Sequence, residues 1–310
     1  MYNFVLLSKK QYTKLMLSIS RIKQKIGFYK DSATPKLSAD RNILVKVYYA
    51  GICRTDIAVA KGTIAVDKDI ILGHEFCGVV VDIHDAGKSQ LHIGDAVSAD
   101  PMRFGKDHHD CMCGVDCNGA FAEYIAMPEK AAVKLPQYLL SVNGAYLEPV
   151  AAALAPFKHI ADKNANICLF GDNRIARLTE QIGHLLGYTN ISCIHNTELL
   201  GECTCDIIIE TAPEHLCEYI KALKPKGKLI LKSRGYTKAC LVPNDVAMKE
   251  ISICGARYGS FDEAVKILAS DQLDTKELFG DVYSLDEFET AFDEADKCDA
   301  KKIFFRICAE

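Results

Sequence analysis

The chain has 310 residues, with 37 Lys and Arg against 41 Asp and Glu, a formal charge of −4. At roughly 100–200 residues per domain, that length predicts two domains, each large enough for its own core. Apolar residues make up 49% and charged residues 25%, which excludes a disordered, collagenous or membrane-bundle chain, and the slight acidity argues against a dedicated nucleic-acid binder.

The first segment, Met1–Lys25, carries Lys9, Lys10 and Lys14 among its apolar residues. It therefore lacks the continuous apolar stretch of a secretory signal. No later run approaches a membrane-spanning length. The fourteen cysteines are accordingly expected as reduced thiols in a cytoplasmic, soluble protein that needs no membrane. Cys168, Cys193, Cys254 and Cys308 sit in apolar runs and read as small buried hydrophobes.

Strand patterns follow in chain order. Asn42–Ala50 alternates and is β-branched, and Gly51 ends it. Cys77–Ile83, a short strand after the Gly94 turn, Ala120–Met127 and Ala131–Leu135 continue the pattern. Strands separated by Gly and Asp turns suggest a small β-barrel-like domain. The texture changes after about Asn143. Glu148–His159 is Ala-rich and reads as a helix, with Pro149 tolerated near its start. Asn166–Phe170 is an apolar strand, followed by the turn Gly171-Asp172-Asn173. Ile175, Leu178, Ile182 and Leu185 then place an amphipathic helix over Arg174–Leu186. Ile191–Ile194, Asp206–Glu210, Lys228–Leu231 and Glu250–Gly255 read as strands, with helices at Glu214–Leu223 and Phe261–Ala269. That alternation predicts an α/β domain with a parallel sheet. A helix at Leu285–Ala295 and a strand at Lys302–Ile307 close the chain.

Two motifs carry chemistry. Gly51-Ile52-Cys53-Arg54-Thr55-Asp56 follows a strand, and Gly73-His74-Glu75-Phe76-Cys77-Gly78 precedes one. A thiolate and an imidazole are good zinc ligands, and Asp56 and Glu75 suit supporting roles. Taken alone, the spacing leaves open a shared metal or a buried thiol beside a core histidine.

The two motifs together resemble the zinc-dependent medium-chain dehydrogenase/reductase family of the alcohol dehydrogenase superfamily, in its polyol and threonine dehydrogenase-like branch. Gly94-Asp95-Ala96-Val97, Gly119-Ala120-Phe121-Ala122-Glu123-Tyr124 and Glu148-Pro149 follow in the family's order. The resemblance implies a GroES-like β-barrel catalytic domain over 1–147, completed by 273–310. A Rossmann doubly wound parallel-sheet domain over 148–272 would bind the dinucleotide, and the last strand would pair outside the parallel sheet.

The resemblance also implies one catalytic zinc on Cys53, His74 and Glu148, with Glu75 the competing third ligand and a water completing the site. It implies NAD or NADP as cofactor and a small alcohol as substrate: a secondary alcohol, polyol or amino-alcohol. Thr55 would pass the hydroxyl proton outward, with Asp56 and Glu75 also in the catalytic set. Relatives that extend this relay with a histidine have Ala58 in its place here, so the proton leaves by another path. Arg54 would meet the cofactor pyrophosphate. A structural zinc is not expected: 101–119 carries His108, His109, Cys111, Cys113 and Cys117 without C-x₂-C spacing. A homodimer or homotetramer is expected through the edge strand Glu250–Gly255.

The nucleotide fingerprint departs from G-x-G-x-x-G/A. It reads Gly171-Asp172-Asn173-Arg174-Ile175-Ala176, so Asn173 stands at the middle glycine and Arg174 offers charge. The next strand ends Ile194-His195-Asn196-Thr197, with neither a carboxylate for ribose hydroxyls nor an arginine for a ribose phosphate. The stretch Asn196–Cys205 is too short for a further helix and strand, so that sheet edge is trimmed. These departures favour a second reading, a zinc-binding or interaction protein with weakened dinucleotide binding. A third, a zinc-free quinone-reductase-like member, is opposed by the metal-ligand residues.

Overall fold

A computed structural model describes residues 15–66, 68–105, 111–233, 240–297 and 299–308. The expectations on Lys9, Lys10, Lys14, His108 and His109 lie outside them. The chain divides into two compact units, one reaching Glu148 and resuming at Phe279, the other spanning Pro149–Leu278.

In the first unit, the strands Leu15–Ile22 and Lys25–Ala33 form a hairpin. Its two turn residues, Lys23 and Gln24, have φ of 48° and 65°, the left-handed pair that suits tightly turned strands. A seven-stranded sheet is built around Ile43–Gly51. That strand pairs antiparallel with Glu75–Ile83, Tyr124–Met127 and Lys302–Arg306. Its inward residues Ile43, Val45 and Val47 are fully buried with Phe76, Phe121 and Phe305. The final strand also runs parallel to Phe279–Tyr283.

The second unit is a five-stranded, wholly parallel sheet. Across it lie Ile191–Ile194, Ile167–Phe170, Cys205–Glu210, Leu223–Leu231 and Ser252–Gly255. Chain order reverses between Ile167–Phe170 and Cys205–Glu210, and ligands of open α/β sheets bind beyond the carboxyl ends of strands at such a switch point. A short turn at Thr197–Leu199 joins Ile191–Ile194 to the next strand, and among the described residues no further strand extends that side.

Sequence and structure differ in instructive places. The helix expected over Glu148–His159 is an α-helix at Leu147–Leu154 that tightens to a 3₁₀ turn over Ala155–His159. Pro156 has no N–H to continue the α-helical ladder. The strand expected from Ala120 begins at Tyr124, because Ala120 and Phe121 donate instead to Gly73 and Leu72 carbonyls. The hairpin, a helix at Arg54–Ala60 and the strand Phe279–Tyr283 were not anticipated from sequence.

Candidate active site

Strand Ile43–Gly51 delivers Cys53 to the start of the helix Arg54–Ala60. Asp56, in the first turn, is fully buried and works in two directions. Its Oδ2 accepts the Cys53 N–H at 2.8 Å, and its Oδ1 accepts the Gly73 N–H at 3.1 Å. One carboxylate thus fixes both motifs, bringing His74 beside Cys53. Gly73 has φ of +92°, and a Cβ there would lie 2.3 Å from the Phe121 ring. Only glycine fits.

Among the described residues, one group of potential ligand atoms converges: those of Cys53, His74 and Glu75 lie within 4.8 Å of one another. His74 is 1% exposed, and neither ring nitrogen has a hydrogen-bond partner. Its Nδ1 comes within 3.4 Å of Asp56 Oδ1. Burial opposes a charge on the ring, but Asp56 and then Cys53 overcome it and hold His74 well above the ordinary value of 6.5. The negative neighbours that favour a proton on this ring also favour a metal cation, which competes for the same nitrogen. Thiolate, imidazole and carboxylate form a zinc donor set, and an Asp behind a ligating His fixes its orientation. The residues fit zinc.

The carboxylate in the group is Glu75, whereas sequence pointed first to Glu148. Glu148 is 4% exposed, in the helix Leu147–Leu154, and does not belong to the converging group. Adjacency explains the difference: Glu75 begins a strand hydrogen-bonded to the end of the strand that leads into Cys53, with Gly51 opposite Glu75. Glu75 also accepts from Lys302 Nζ at 2.5 Å, both residues being 1% exposed. Lys302 further donates to the Ile52 carbonyl at 3.1 Å. A carboxylate has two oxygens and about four lone-pair positions, so this ion pair and a metal bond are compatible.

Thr55 is buried, and the Cys53 thiol approaches its hydroxyl at 3.8 Å. Arg54 donates to the Ala295 and Asp296 carbonyls, each at 3.2 Å, at the end of the helix Phe288–Lys297. Cys113 and Cys117 are core thiols, Cys113 directed at the Gly73 carbonyl at 3.6 Å.

In the second unit, the fingerprint loop lies at the sheet's switch point. Gly171 has φ of +141°, and a Cβ there would lie 2.0 Å from Thr211 Oγ1. A cavity of about 360 Å³ adjoins it, lined by Gly171, Asp172, Arg177, Glu180, His195 and Glu277 among others. Arg177 pairs with Asp172 at 3.1 Å, and Glu180 accepts the Cys193 N–H at 3.1 Å. Arg174 is buried at the start of the helix Arg174–Leu185, Ile175 follows it, and Asn196 caps the turn after His195. The backbone cradle and its position fit a dinucleotide.

Residues 39–137 match the alcohol dehydrogenase GroES-like domain. A probable D-xylulose reductase A of Emericella nidulans is 25% identical over 324 residues, covering 85% of this chain and 89% of its own. Residues 39–137 therefore carry an alcohol dehydrogenase GroES-like domain, and most of the chain is similar to polyol dehydrogenases. The galactitol 1-phosphate 5-dehydrogenase of Escherichia coli K12 is 30% identical over 178 residues, 53% of this chain and 51% of that one. An Escherichia coli CFT073 alcohol dehydrogenase solved with NADH superposes with a TM-score of 0.83 at 20% identity, covering 94% of this chain and 99% of that chain. At that identity the likeness speaks for the fold.

Sequence reasoning missed Lys302, Arg177, Glu180 and Glu277. Lys302 had a weak signal: it shares strand parity with the fully buried Phe304, so it faces inward. Arg177 and Glu180 are three apart, on the helix face opposite its apolar stripe. Glu277 comes from a distant segment and had no local signal.

Proposed function

We propose that the protein is a zinc- and nicotinamide-dependent oxidoreductase that moves hydride between a secondary alcohol, polyol or amino-alcohol and NAD or NADP. The observation that carries this is His74: buried, without a hydrogen-bond partner on either ring nitrogen, and converging with Cys53 and Glu75. Cys53, His74 and Glu75 hold the metal, with Glu148 reaching it through water. When bound, zinc supplies a Lewis acid for the alcohol oxygen. The nicotinamide supplies the hydride acceptor.

The chain's own groups do the rest. Asp56 keeps the His74 ring in place and ties the Cys53 and Gly73 backbones together. Lys302 neutralises Glu75 inside an apolar surrounding. Thr55, beside the Cys53 thiol, accepts the substrate hydroxyl proton by hydrogen bond and passes it to water, since Ala58 offers no relay group. Gly171 lets backbone approach the cofactor pyrophosphate, and Arg174, Ile175, His195 and Asn196 line its path. Arg54 is anchored to the helix Phe288–Lys297 and supports the Cys53 loop.

The sheet's edge strand Ser252–Gly255 exposes Ile253, which supports assembly as a homodimer or homotetramer through that edge. Sedimentation showing only a 34.2 kDa species would count against it. The thirteen described cysteines are all free thiols, which suits a reducing cytoplasm.

The decisive experiment combines zinc content by mass spectrometry with turnover on a panel of free and phosphorylated polyols and amino-alcohols, using NAD and NADP separately. One zinc per chain, lost in Cys53→Ala and His74→Ala, together with dinucleotide-dependent oxidation, is the expected result. Full zinc in Glu75→Gln with loss in Glu148→Gln would move the third ligand to Glu148. Absence of zinc from the purified protein after supplementation would refute the reading.

A further inference from the structure

Asn173 stands where the fingerprint has its middle glycine, and it is not an idle replacement. Its backbone is extended, with φ of −135° and ψ of 167°, as the N-cap of the twelve-residue helix Arg174–Leu185. Its Oδ1 accepts the Ala176 N–H at 3.0 Å. Its Nδ2 donates to Thr211 Oγ1 at 2.9 Å and approaches the Thr211 carbonyl at 3.4 Å. Thr211 Oγ1 in turn donates to the Phe170 carbonyl at 2.9 Å. The side chain is therefore strung between the helix N-terminus and the end of the strand Cys205–Glu210, across the switch point. Asn173 follows directly on Gly171 and Asp172, which line the cavity.

A pyrophosphate at a helix N-terminus is held by the amide groups there. In this chain one of those amides already has an acceptor, supplied by Asn173. We propose that Asn173 is a latch on the dinucleotide site: its amide oxygen takes the place of a phosphate oxygen at the helix N-terminus, Thr211 holds it there, and cofactor binding requires its displacement. The inference rests on the dehydrogenase reading above. It makes Asn173 and Thr211 the residues that set dinucleotide affinity, independently of which ribose the pocket prefers. Asp172, in the same loop, adds a carboxylate beside the site, paired with Arg177 at 3.1 Å.

Three variants separate a latch from a structural cap. Asn173→Gly removes the side chain and restores the glycine, which is itself a tolerated N-cap residue. Asn173→Asp keeps the cap but sets a negative charge where phosphate must come. Thr211→Val removes the latch's anchor hydroxyl. Binding of NADH and of NADPH is measured by nicotinamide fluorescence and calorimetry, with melting temperature and zinc content on the same samples.

The latch predicts that Asn173→Gly binds at least about tenfold more tightly than the parent, the scale of one charge-assisted hydrogen bond. Thr211→Val should bind more tightly by a smaller factor, and Asn173→Asp should bind more weakly while melting like the parent. Micromolar binding by the parent, unchanged in Asn173→Gly, overturns the latch and leaves the dehydrogenase reading standing. No binding by any variant overturns the latch and the dinucleotide half of that reading together, while the zinc measurement judges the metal half on its own.

Discussion

The ion pair between Lys302 and Glu75 gives the sharpest quantitative test of the metal centre. Both residues are 1% exposed, and the lysine has two oxygen partners, Glu75 Oε2 at 2.5 Å and the Ile52 carbonyl at 3.1 Å. Replacing Lys302 by Met keeps most of the volume but strands a carboxylate in the core. Breaking one side of a buried pair costs about 3–5 kcal/mol, because the remaining charge is uncompensated. For a unit of this size each kcal/mol lowers the melting temperature by about 2–4 °C, so metal-stripped Lys302→Met should melt about 6–20 °C below the metal-stripped parent. Zinc supplies positive charge to the same carboxylate, so the deficit should shrink when the metal is restored. The double variant Lys302→Met/Glu75→Gln has no stranded charge and should recover much of the loss. The assay is calorimetry with chelator and with zinc, completed as a double-mutant cycle. A change below about 2 °C without metal, or additivity within about 0.5 kcal/mol, would refute this account of the pair.

Three further outcomes are expected. Gly73→Ala forces a Cβ to within 2.3 Å of the Phe121 ring at a φ of +92°; it should cost upwards of about 2 kcal/mol and lower zinc occupancy, both read from one melting series with and without metal. Asp56→Asn keeps the volume but weakens the support behind His74, and competition against a chelator should show zinc affinity falling about 10–100-fold. Burial raises the Glu210 carboxyl above its ordinary 4.5, outweighing the Ser233 hydroxyl and the Ser233 and Lys232 amides that donate to it. The folded state therefore binds that proton more tightly than the unfolded state. The resulting stability is present below the ordinary value and is lost as pH rises through the raised one. Parent stability relative to Glu210→Gln should thus increase as pH falls from about 7 towards 4.5; a difference independent of pH, by denaturant melts, would count against it.

Much of the fold was legible because its signals are local. Ile43–Gly51 alternates, and the strands of the second unit are short apolar runs separated by helical periods. The hairpin Leu15–Ala33 was not, because Lys, Ser and Asp are spread along a half-exposed ribbon whose apolar period is weak. The candidate metal ligands were legible in part. Cys53 and His74 stand in recognisable motifs, but the choice between Glu75 and Glu148 depends on which strand lies beside which, and sequence does not carry register. Lys302 lies 227 residues from Glu75, so its role exists only after the sheet has closed.

The two candidate sites differ in how firmly the sequence commits to them. Around the metal, each part is fixed by another: Gly73 by the Phe121 ring, the Cys53 and Gly73 backbones by Asp56, Glu75 by Lys302. Loss of one part strands a buried polar or charged partner, and such a penalty exceeds the worth of the bond itself. The nucleotide loop is held by a different economy. Gly171 is confined by Thr211, but Asn173 satisfies its neighbours with its own amide, and a ligand that offers the helix better acceptors can replace it without leaving an orphaned group: Ala176 gains a phosphate oxygen, and the freed asparagine returns to water. The candidate metal centre therefore converges on a buried histidine with no hydrogen-bond partner on either ring nitrogen, whereas the dinucleotide loop satisfies its own polar groups. Affinity for zinc should be insensitive to Asn173, and affinity for dinucleotide should be the property that a single residue in this chain adjusts.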